Sequence, residues 1–579
     1  MRKNADEAAT DLEPSALASP LWAEARPIPL AWELAAVALL LVAGAILRFA
    51  QLDTVPPGLW YDEAINGLDA LTIWREPGFP LFFMTEGHPR EPLYMYLELL
   101  GVWTAGTTAE AIRGVSGVIG LLTIPLMWLF GRQLGGWRLG LLSAFLLTFM
   151  RWHVHFSRLA FRTILSPMFC LLGAILLVRV IRKRRPLDAA LFGALLGLSL
   201  YTYLSMRLFL VAAGLTFAGG LLITKTPRAL FAKLSAAAAI GFFVVFAPLG
   251  INYLSHPEHF SGRQGEISLI GGGAEGWARI AMQTRDVALM GLLRGDHEDK
   301  HNIPGPPRFA QPVLWGSETA DAAARWEDLR RTAPEAVPDE HGTGLATFDV
   351  VTGLLFYLGL GAVIWRFFRE RNLWAAFLLL WLGLGALASI LSFGAPNLLR
   401  LLMLSPLAAL LIAVAVLTLN DRLALPRTLR AALVTAFLLW FAAGESYRYF
   451  AVYPSHPGVW WSYNSNFAEL AKTLAESSTR PEQIVVPDYV ATAPTFAFLA
   501  DSVEGVVPWP PRGDNAPALS GRVWLVLTQP PFPPLQTEGL ANKDVSPIES
   551  LETPEGLRWA VIVEGDLDSE DWGSPKPKP

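Results

Sequence analysis

The 579-residue chain is short of charge and nearly without cysteine: Asp, Glu, Lys and Arg make up 17% of it, and Cys170 is the single thiol. Soluble domains usually carry about a quarter charged residues. With one cysteine no intramolecular disulfide can form, so any domain outside a membrane folds without one. Cys170 sits in an apolar run and reads as a small buried residue. No glycine loop followed by Lys-Ser/Thr occurs, which removes the usual triphosphate cradle. No basic, aromatic-laced stretch suggests nucleic acid, and the net charge is −5. The opening "MRKNADEAATDLEPSALASP" lacks the pattern of a cleavable signal peptide. What remains is apolar: 53% hydrophobic residues, with 21 Trp and 32 Phe, and a mean hydropathy of +0.37.

Eleven runs approach the roughly 20 apolar residues needed to cross a bilayer. They lie near 31–50, 113–131, 138–152, 163–181, 187–205, 207–224, 230–250, 346–367, 373–392, 400–419 and 429–450. A twelfth run, Pro92 to Trp103, is short and contains Glu98. Basic clusters at Arg132/Arg138, Arg182–Arg185, Lys225/Arg228/Lys233, Arg366/Arg369/Arg371 and Arg422/Arg427/Arg430 decide its place. If 92–103 does not cross and the N-terminus is cytoplasmic, all five clusters fall inside, as positive charge prefers. The run then reads as an amphipathic helix on the outer surface.

The expected fold is an α-helical polytopic membrane protein of about eleven spans with a small α/β domain. Residues 1–29 read as a disordered cytoplasmic tail, with the first span an uncleaved anchor. Residues 30–450 form the membrane domain, with external loops 51–112 and 251–345. In 451–566, "NFAELAKTLAESS" reads as a helix, and "EQIVVPDY", "GRVWLVLTQP" and "LRWAVIVEG" read as strands between Pro/Gly turns. Residues 567–579 read as a second disordered tail.

The stretch "PPGLWYDEAINGLDA" places adjacent carboxylates, Asp62 and Glu63, among aromatics where the first span ends. One reading is helix N-capping, since acids are favoured in a first turn. The other is a general base, with partial desolvation raising a carboxyl toward a useful range. In "RWHVHFSRLAFR", Arg151, Arg158 and Arg162 face outside against the charge rule. Either they snorkel or pair structurally, or they hold a lipid phosphodiester by guanidinium forks. Arg400 stands just ahead of an unbroken apolar run, where charges are expensive and tend to be functional. Arg113 is placed alike at the second span and either pairs with Asp62 or Glu63 or binds substrate. His88 and Glu91 flank a Pro-Arg pair, and "GDHEDKHNIPG" concentrates His297, Glu298, Asp299 and His301. These are either weak metal ligands, substrate contacts or a solvated loop. Tyr201 and Tyr203 belong to an aromatic belt or line a sugar pocket.

With these segments in order, the chain resembles the membrane-embedded GT-C glycosyltransferases, and among them family 39, which includes protein O-mannosyltransferases and lipid A aminoarabinose transferases. An N-terminal span followed by an external Asp-Glu pair is typical of that group. "GHPREPLYMYLELL" is similar to its His-Pro-Pro-Leu-Tyr segment, with Arg90 and Glu91 departing from the simpler spacing. "AIRGVSGVIGLLTIPLMWLFGRQLGG", "HFSRLAFRTILSPMF" and "GAPNLLRLLMLSPLAALLIA" are similar to its second span, its Ser-Arg segment and its late Arg-to-Pro segment. "HNIPGPPRF" is similar to a His-Asn-x-Pro-Gly pattern in bacterial members. The resemblance covers roughly 30–420.

The resemblance implies transfer of a sugar from a polyprenyl-phosphate donor to a hydroxyl of a lipid, glycan or protein at the outer face of the cytoplasmic membrane, with inversion. It implies Asp62 as base and Glu63 as a second catalytic candidate. Arg158, Arg162 and Arg400 are the donor-phosphate candidates. His88, Glu91, Arg113, Tyr203 and His301 are pocket candidates. No cofactor is required by this chemistry, and a divalent cation stays open. The competing class is a lipid or glycan transporter. Such proteins show repeated halves and mid-span Gly/Pro breaks, whereas here the charges gather at one membrane face and no repeat is found.

Overall fold

A computed structural model describes residues 20–22, 27–76, 78–85, 88–270, 273–303, 344–509, 521–528, 546–554, 556 and 558–567. Most of both expected tails, and "PGPPRF" of the His-Asn-x-Pro-Gly stretch, lie outside the described residues. The first apolar run forms α1 (Leu30–Phe49). After it come α2 (Tyr61–Arg75), a hairpin of β1 (Phe83–Thr85) and β2 (His88–Arg90), and α3 (Leu93–Ala105). The 92–103 run is thus a 13-residue helix that buries Tyr94, Met95 and Glu98 and exposes Leu100 and Trp103.

The bundle continues with α4 (Ala109–Phe149), α5 (Arg151–Phe156), α6 (Leu165–Lys183), α7 (Pro186–Ser199), α8 (Met206–Ile223) and α9 (Arg228–Ser255). Next are α10 (Pro257–Ile267), α11 (Gly273–Leu289), α12 (Val350–Glu370), α13 (Leu373–Ile390), α14 (Ser405–Arg422) and α15 (Arg427–Tyr447). Among the described residues nine helices are long and apolar enough to cross a membrane. One of them, α4, turns back on itself at Gly135 and Gly136, where Gly136 has φ 75°. Only glycine adopts that backbone at no cost. Counting the two arms of α4 separately and adding the shorter apolar α7, the eleven hydrophobic runs of the sequence all appear as helical segments. The chain is a polytopic α-helical membrane protein, and α14 is its central staff, buried almost throughout.

The tight turns between these helices collect at one end of the bundle. Arg184 donates to the Thr224 carbonyl at 3.0 Å, and Arg138 pairs with Asp421 at 2.9 Å. Arg366 lies over the Trp22 ring, and the Trp22 N–H reaches the Leu134 carbonyl. Arg182 lies over the Trp374 ring, just past the Arg366–Arg371 cluster, so all five basic clusters share that end. The opposite end carries α2, α3, α5, α10, α11 and the loops before α6, α8 and α14.

At that opposite end sits the C-terminal α/β unit, entered through α16 (Pro457–Ser462) and α17 (Ser465–Glu476). Its elements are β3 (Gln483–Pro487), α18 (Asp488–Ala491), α19 (Pro494–Leu499), β4 (Val506–Trp509), β5 (Gly521–Thr528), β6 (Ser546–Glu552) and β7 (Arg558–Leu567). The sheet order is β4-β3-β5-β7-β6, with β3 parallel to β4 and β5, and β7 antiparallel to β5 and β6. The three strands expected from sequence are β3, β5 and β7, the buried ones. β6 was not legible because it is an edge strand, "SPIESLE", whose side chains face solvent apart from Leu551. β4 is only four residues long.

Helix packing relies on small residues, as expected where lipid is as apolar as leucine. α7 and α9 meet backbone to backbone: a Cβ on Gly193 would collide with the Ala238 carbonyl, and one on Gly241 with that of Ala190. Gly193→Leu should therefore force the pair apart and cost about 1–3 kcal/mol. A lowered melting temperature of the detergent-solubilised protein checks this, with Gly219→Leu, which meets open space, expected to melt close to wild type.

Candidate active site

Glu63 is the anchor of the site. It lies in the first turn of α2 and is fully buried. Its Oε1 accepts from Arg113 Nε at 2.9 Å and from the Ala160 N–H at 2.8 Å. Its Oε2 accepts from Arg113 Nη2 and from the Trp60 N–H, both at 3.0 Å. The remaining donors of Arg113 reach the carbonyls of Leu52 at 3.3 Å and of Pro56 and Gly58 at 2.9 Å. A guanidinium has five N–H groups, so Arg113 has none left for a substrate. Of the two roles weighed for it, the structure displays the ion pair.

Asp62 has a different setting. It is half-buried and lines a cavity of about 260 Å³. Among the described residues its carboxylate takes part in no hydrogen bond or ion pair. The helix-capping role falls to Glu63 instead. Seven of the residues singled out from sequence meet at this cavity: Asp62, Glu91, Arg162, Tyr203, Glu298, His301 and Arg400. Glu63, Arg113 and Arg158 do not line it. The side chain of His88, in β2, lies outside the described part of the structure.

Arg158, a donor-phosphate candidate with a structural alternative, displays structural bonds here. It is fully buried and gives its hydrogen bonds to the carbonyls of Leu47, Gln51 and Val55, at 2.7–3.2 Å. It closes the C-terminal end of α1, where a cation complements the helix dipole. Arg162, four residues on, differs. Its Nε is 3.8 Å from Glu91 Oε2 and its guanidinium lies over the Tyr203 ring at 5.5 Å. Yet among the described residues Nε and Nη1 are buried without a hydrogen-bond partner. Arg400 is steadied by Ser392 Oγ at 2.6 Å and by the Phe393 carbonyl.

Several lining residues were missed in the sequence. Arg90 binds Asp69 Oδ2 at 2.8 Å and so joins the hairpin to α2. Arg207 lies over the Phe260 ring at 4.0 Å and donates to the Phe260 carbonyl at 2.9 Å. Lys300 sits 5.0 Å from the Trp60 ring centre and 3.2 Å from Glu298 Oε2. Arg207 follows "LSLYTYLSM" at the end of a span, the same signal that marked Arg158 and Arg162. Arg90 was visible only as a departure from the family spacing. The lining thus holds five permanent cations, Arg90, Arg162, Arg207, Lys300 and Arg400, against the carboxylates of Asp62, Glu91 and Glu298. It favours an anion.

The "DHEDKHN" segment is not a solvated loop. Asp296 is buried and accepts from the N–H groups of Leu398 at 2.7 Å and Glu298 at 3.0 Å. Asn302 bonds the Leu345 carbonyl at 2.7 Å and receives Arg151 Nη1 at 2.8 Å. The hydroxyls of Tyr453 and Tyr463 hold the carbonyls of Asp299 and Lys300 at 2.8 and 3.0 Å. Among the described residues no group of three His, Cys, Asp or Glu is placed to hold a metal ion.

The C-terminal unit braces the same helix. The Leu59 N–H donates to the Tyr463 carbonyl at 2.8 Å, and Thr495 Oγ1 donates to the Leu59 carbonyl at 2.9 Å. Arg75, at the end of α2, makes a two-pronged bond to Asp501 at 2.6 and 2.9 Å. Gly67 lets Phe498 lie directly on the helix, where a Cβ would come within 2.6 Å of the ring.

Comparison with known proteins bears out the resemblance over part of the chain. Residues 87–251 match the family model described as dolichyl-phosphate-mannose-protein mannosyltransferase. That segment contains Glu91, Arg113, Arg158, Arg162 and Tyr203. The sequence matches no curated protein. Among solved structures, the apo oligosaccharyltransferase of Archaeoglobus fulgidus is similar at 15% identity and a TM-score of 0.47, over 83% of this chain and 65% of that one. The chain thus spans just under two thirds of that relative's length. ArnT from Cupriavidus metallidurans bound to undecaprenyl phosphate is similar at 13% identity and a TM-score of 0.49, over 93% and 98% of the two chains.

Two outcomes follow from this geometry. Glu63→Gln leaves the fully buried Arg113 without its counter-charge, which should cost about 3–5 kcal/mol; a melting temperature no lower than that of Asp62→Asn would contradict it. Asp299 has its carboxyl pushed up to about 6, by burial and then by the neighbouring Glu298. A carboxyl raised in the folded state binds its proton more tightly there than in the unfolded chain. Its contribution to stability therefore falls as pH rises through about 6. Asp299→Asn should raise the melting temperature at pH 8 and lose that advantage at pH 4.

Proposed function

We propose that the chain is a polyprenyl-phosphate-sugar-dependent glycosyltransferase with its active site in the cavity at the end of the bundle opposite the basic clusters. The observation that carries this reading is the pairing, in one cavity, of a carboxylate and a guanidinium that, among the described residues, keep hydrogen-bonding capacity unused: Asp62 makes no hydrogen bond or ion pair, and Arg162 Nε and Nη1 make no hydrogen bond. Asp62 asks for a proton donor, and Arg162 asks for an anion. A hydroxyl and a phosphodiester meet those two demands. The matched family segment, whose description names a dolichyl-phosphate sugar, supports the donor class.

In the reaction the acceptor hydroxyl oxygen attacks the anomeric carbon while Asp62 takes its proton. The bond from that carbon to the phosphate oxygen breaks, and its electron pair leaves with the phosphate. Arg162 and Arg400, aided by Arg207 and Lys300, stabilise the charge that gathers on the leaving group. One displacement gives inversion. By the positive-inside rule the basic end is cytoplasmic, so the cavity and the C-terminal unit face outward. The acceptor is a hydroxyl of a lipid, glycan or protein.

Purified protein incubated with radiolabelled undecaprenyl-phosphate sugars tests this through sugar release. Asp62→Asn should lower release by about 10²–10⁴-fold, the range for removing a general base, with donor binding retained. Arg400→Gln should weaken donor binding about tenfold or more, as for loss of a hydrogen bond to a charged group. Equal release by wild type and Asp62→Asn would remove Asp62 from the chemistry.

A further inference from the structure

His301 forms part of the cavity wall although only 6% of the residue is exposed. Its Nδ1 lies 3.0 Å from Asp296 Oδ2. Asp296 also receives two backbone N–H groups, one on each oxygen, so both of its oxygens already act as acceptors. An ionised carboxylate only accepts. Nδ1 must therefore carry a proton, and in the neutral ring Nε2 is left as a bare acceptor. That nitrogen is buried and, among the described residues, has no hydrogen-bond partner.

An unpaired buried acceptor is costly, and the shape of the site says what would satisfy it. Phosphodiester oxygens and carboxylates only accept, so they do not pair with Nε2. A hydroxyl does. Beside His301 stands Trp60, its ring edge-on to the imidazole at 5.6 Å and stacked on Phe161 at 4.9 Å. With Phe161 stacked on Trp60 and Lys300 5.0 Å from its ring centre, the pair gives the cavity an apolar edge beside polar groups, a lining that suits the mixed apolar and hydroxyl surface of a sugar. Trp60, His301 and Asp62 line the same cavity, so a sugar bound there shares it with the base.

The geometry points to His301, held in one tautomer by Asp296, as the residue that accepts a hydrogen bond from a hydroxyl of the transferred sugar. It rests on the transferase reading above. The dyad then selects the sugar, while Asp62 handles the acceptor's proton. The loop bonds around Asp296 and Asn302 keep Nε2 in place before the donor arrives, so little ordering is left to binding.

The test uses full-length protein in detergent, labelled with ¹⁵N on its nine histidines, with the His301 signals identified by their loss in His301→Gln. At neutral pH the free protein should have a protonated Nδ1 and a bare Nε2. Undecaprenyl phosphate carrying mannose, glucose or 4-aminoarabinose is then added, and undecaprenyl phosphate alone serves as control. A bound sugar-bearing donor should move the Nε2 signal, and the control should leave it unchanged. On the donor that is turned over, His301→Gln, whose amide oxygen can accept in place of Nε2, should keep most of kcat/KM. His301→Phe should lose about tenfold, the worth of one net hydrogen bond. A protonated Nε2 in the free protein, an equal response to undecaprenyl phosphate alone, or donor binding with no Nε2 response would each overturn the assignment. If none of the three donors binds, the transferase reading falls and this one with it.

Discussion

The buried pair of Glu63 and Arg113 is the constraint on which the site depends. A pair removed from water pays a desolvation cost that its attraction only partly offsets, so its value lies in position. Every lone pair and N–H it holds is used across four pieces of chain: the first turn of α2, the second membrane helix, the 52–58 connection and the backbone at Ala160. Successive residues on a helix point about 100° apart. Once Glu63 is pinned inward, Asp62 is turned onto another face, where the cavity lies. Adjacent carboxylates acquire opposite fates from helix geometry alone.

The arginines divide in the same way. Arg113 and Arg158 have their N–H groups taken up largely by backbone carbonyls, and they close off chain that would otherwise leave buried oxygens unpaired. Arg162, Arg207 and Arg400 stand at the cavity. Arg158 and Arg162 are only four residues apart, about one helical turn's worth of sequence, and yet have different surroundings. Fixed positive groups around a cavity stabilise an anion without reorganising when it forms.

The architecture was largely legible in the sequence. Hydrophobic length alone located the eleven helical segments, because a bilayer-sized apolar run has few alternatives. The turn at Gly135–Gly136 was implied by the break between two runs, and β3, β5 and β7 were announced by β-branched residues that the sheet buries. The edge strand β6 was not, since a solvated strand lacks an apolar signature. The hold of the C-terminal unit on α2, through Thr495, Phe498 and Asp501, had no signal at all: those contacts join positions more than 400 residues apart.

By itself the sequence determined the membrane class, the sharing of one end by the basic clusters, and the small set of charged residues from which a site could be built. It did so because spans, turns and charge placement are local properties read against a layered solvent. Which of two neighbouring carboxylates is open, which arginines are already saturated, and whether "DHEDKHN" is solvated or locked were decided by tertiary structure alone. Each of those outcomes depends on hydrogen-bond partners supplied by distant chain, as with Ala160 for Glu63 and Leu398 for Asp296. A lone sequence does not reveal which backbone groups will be left to receive them.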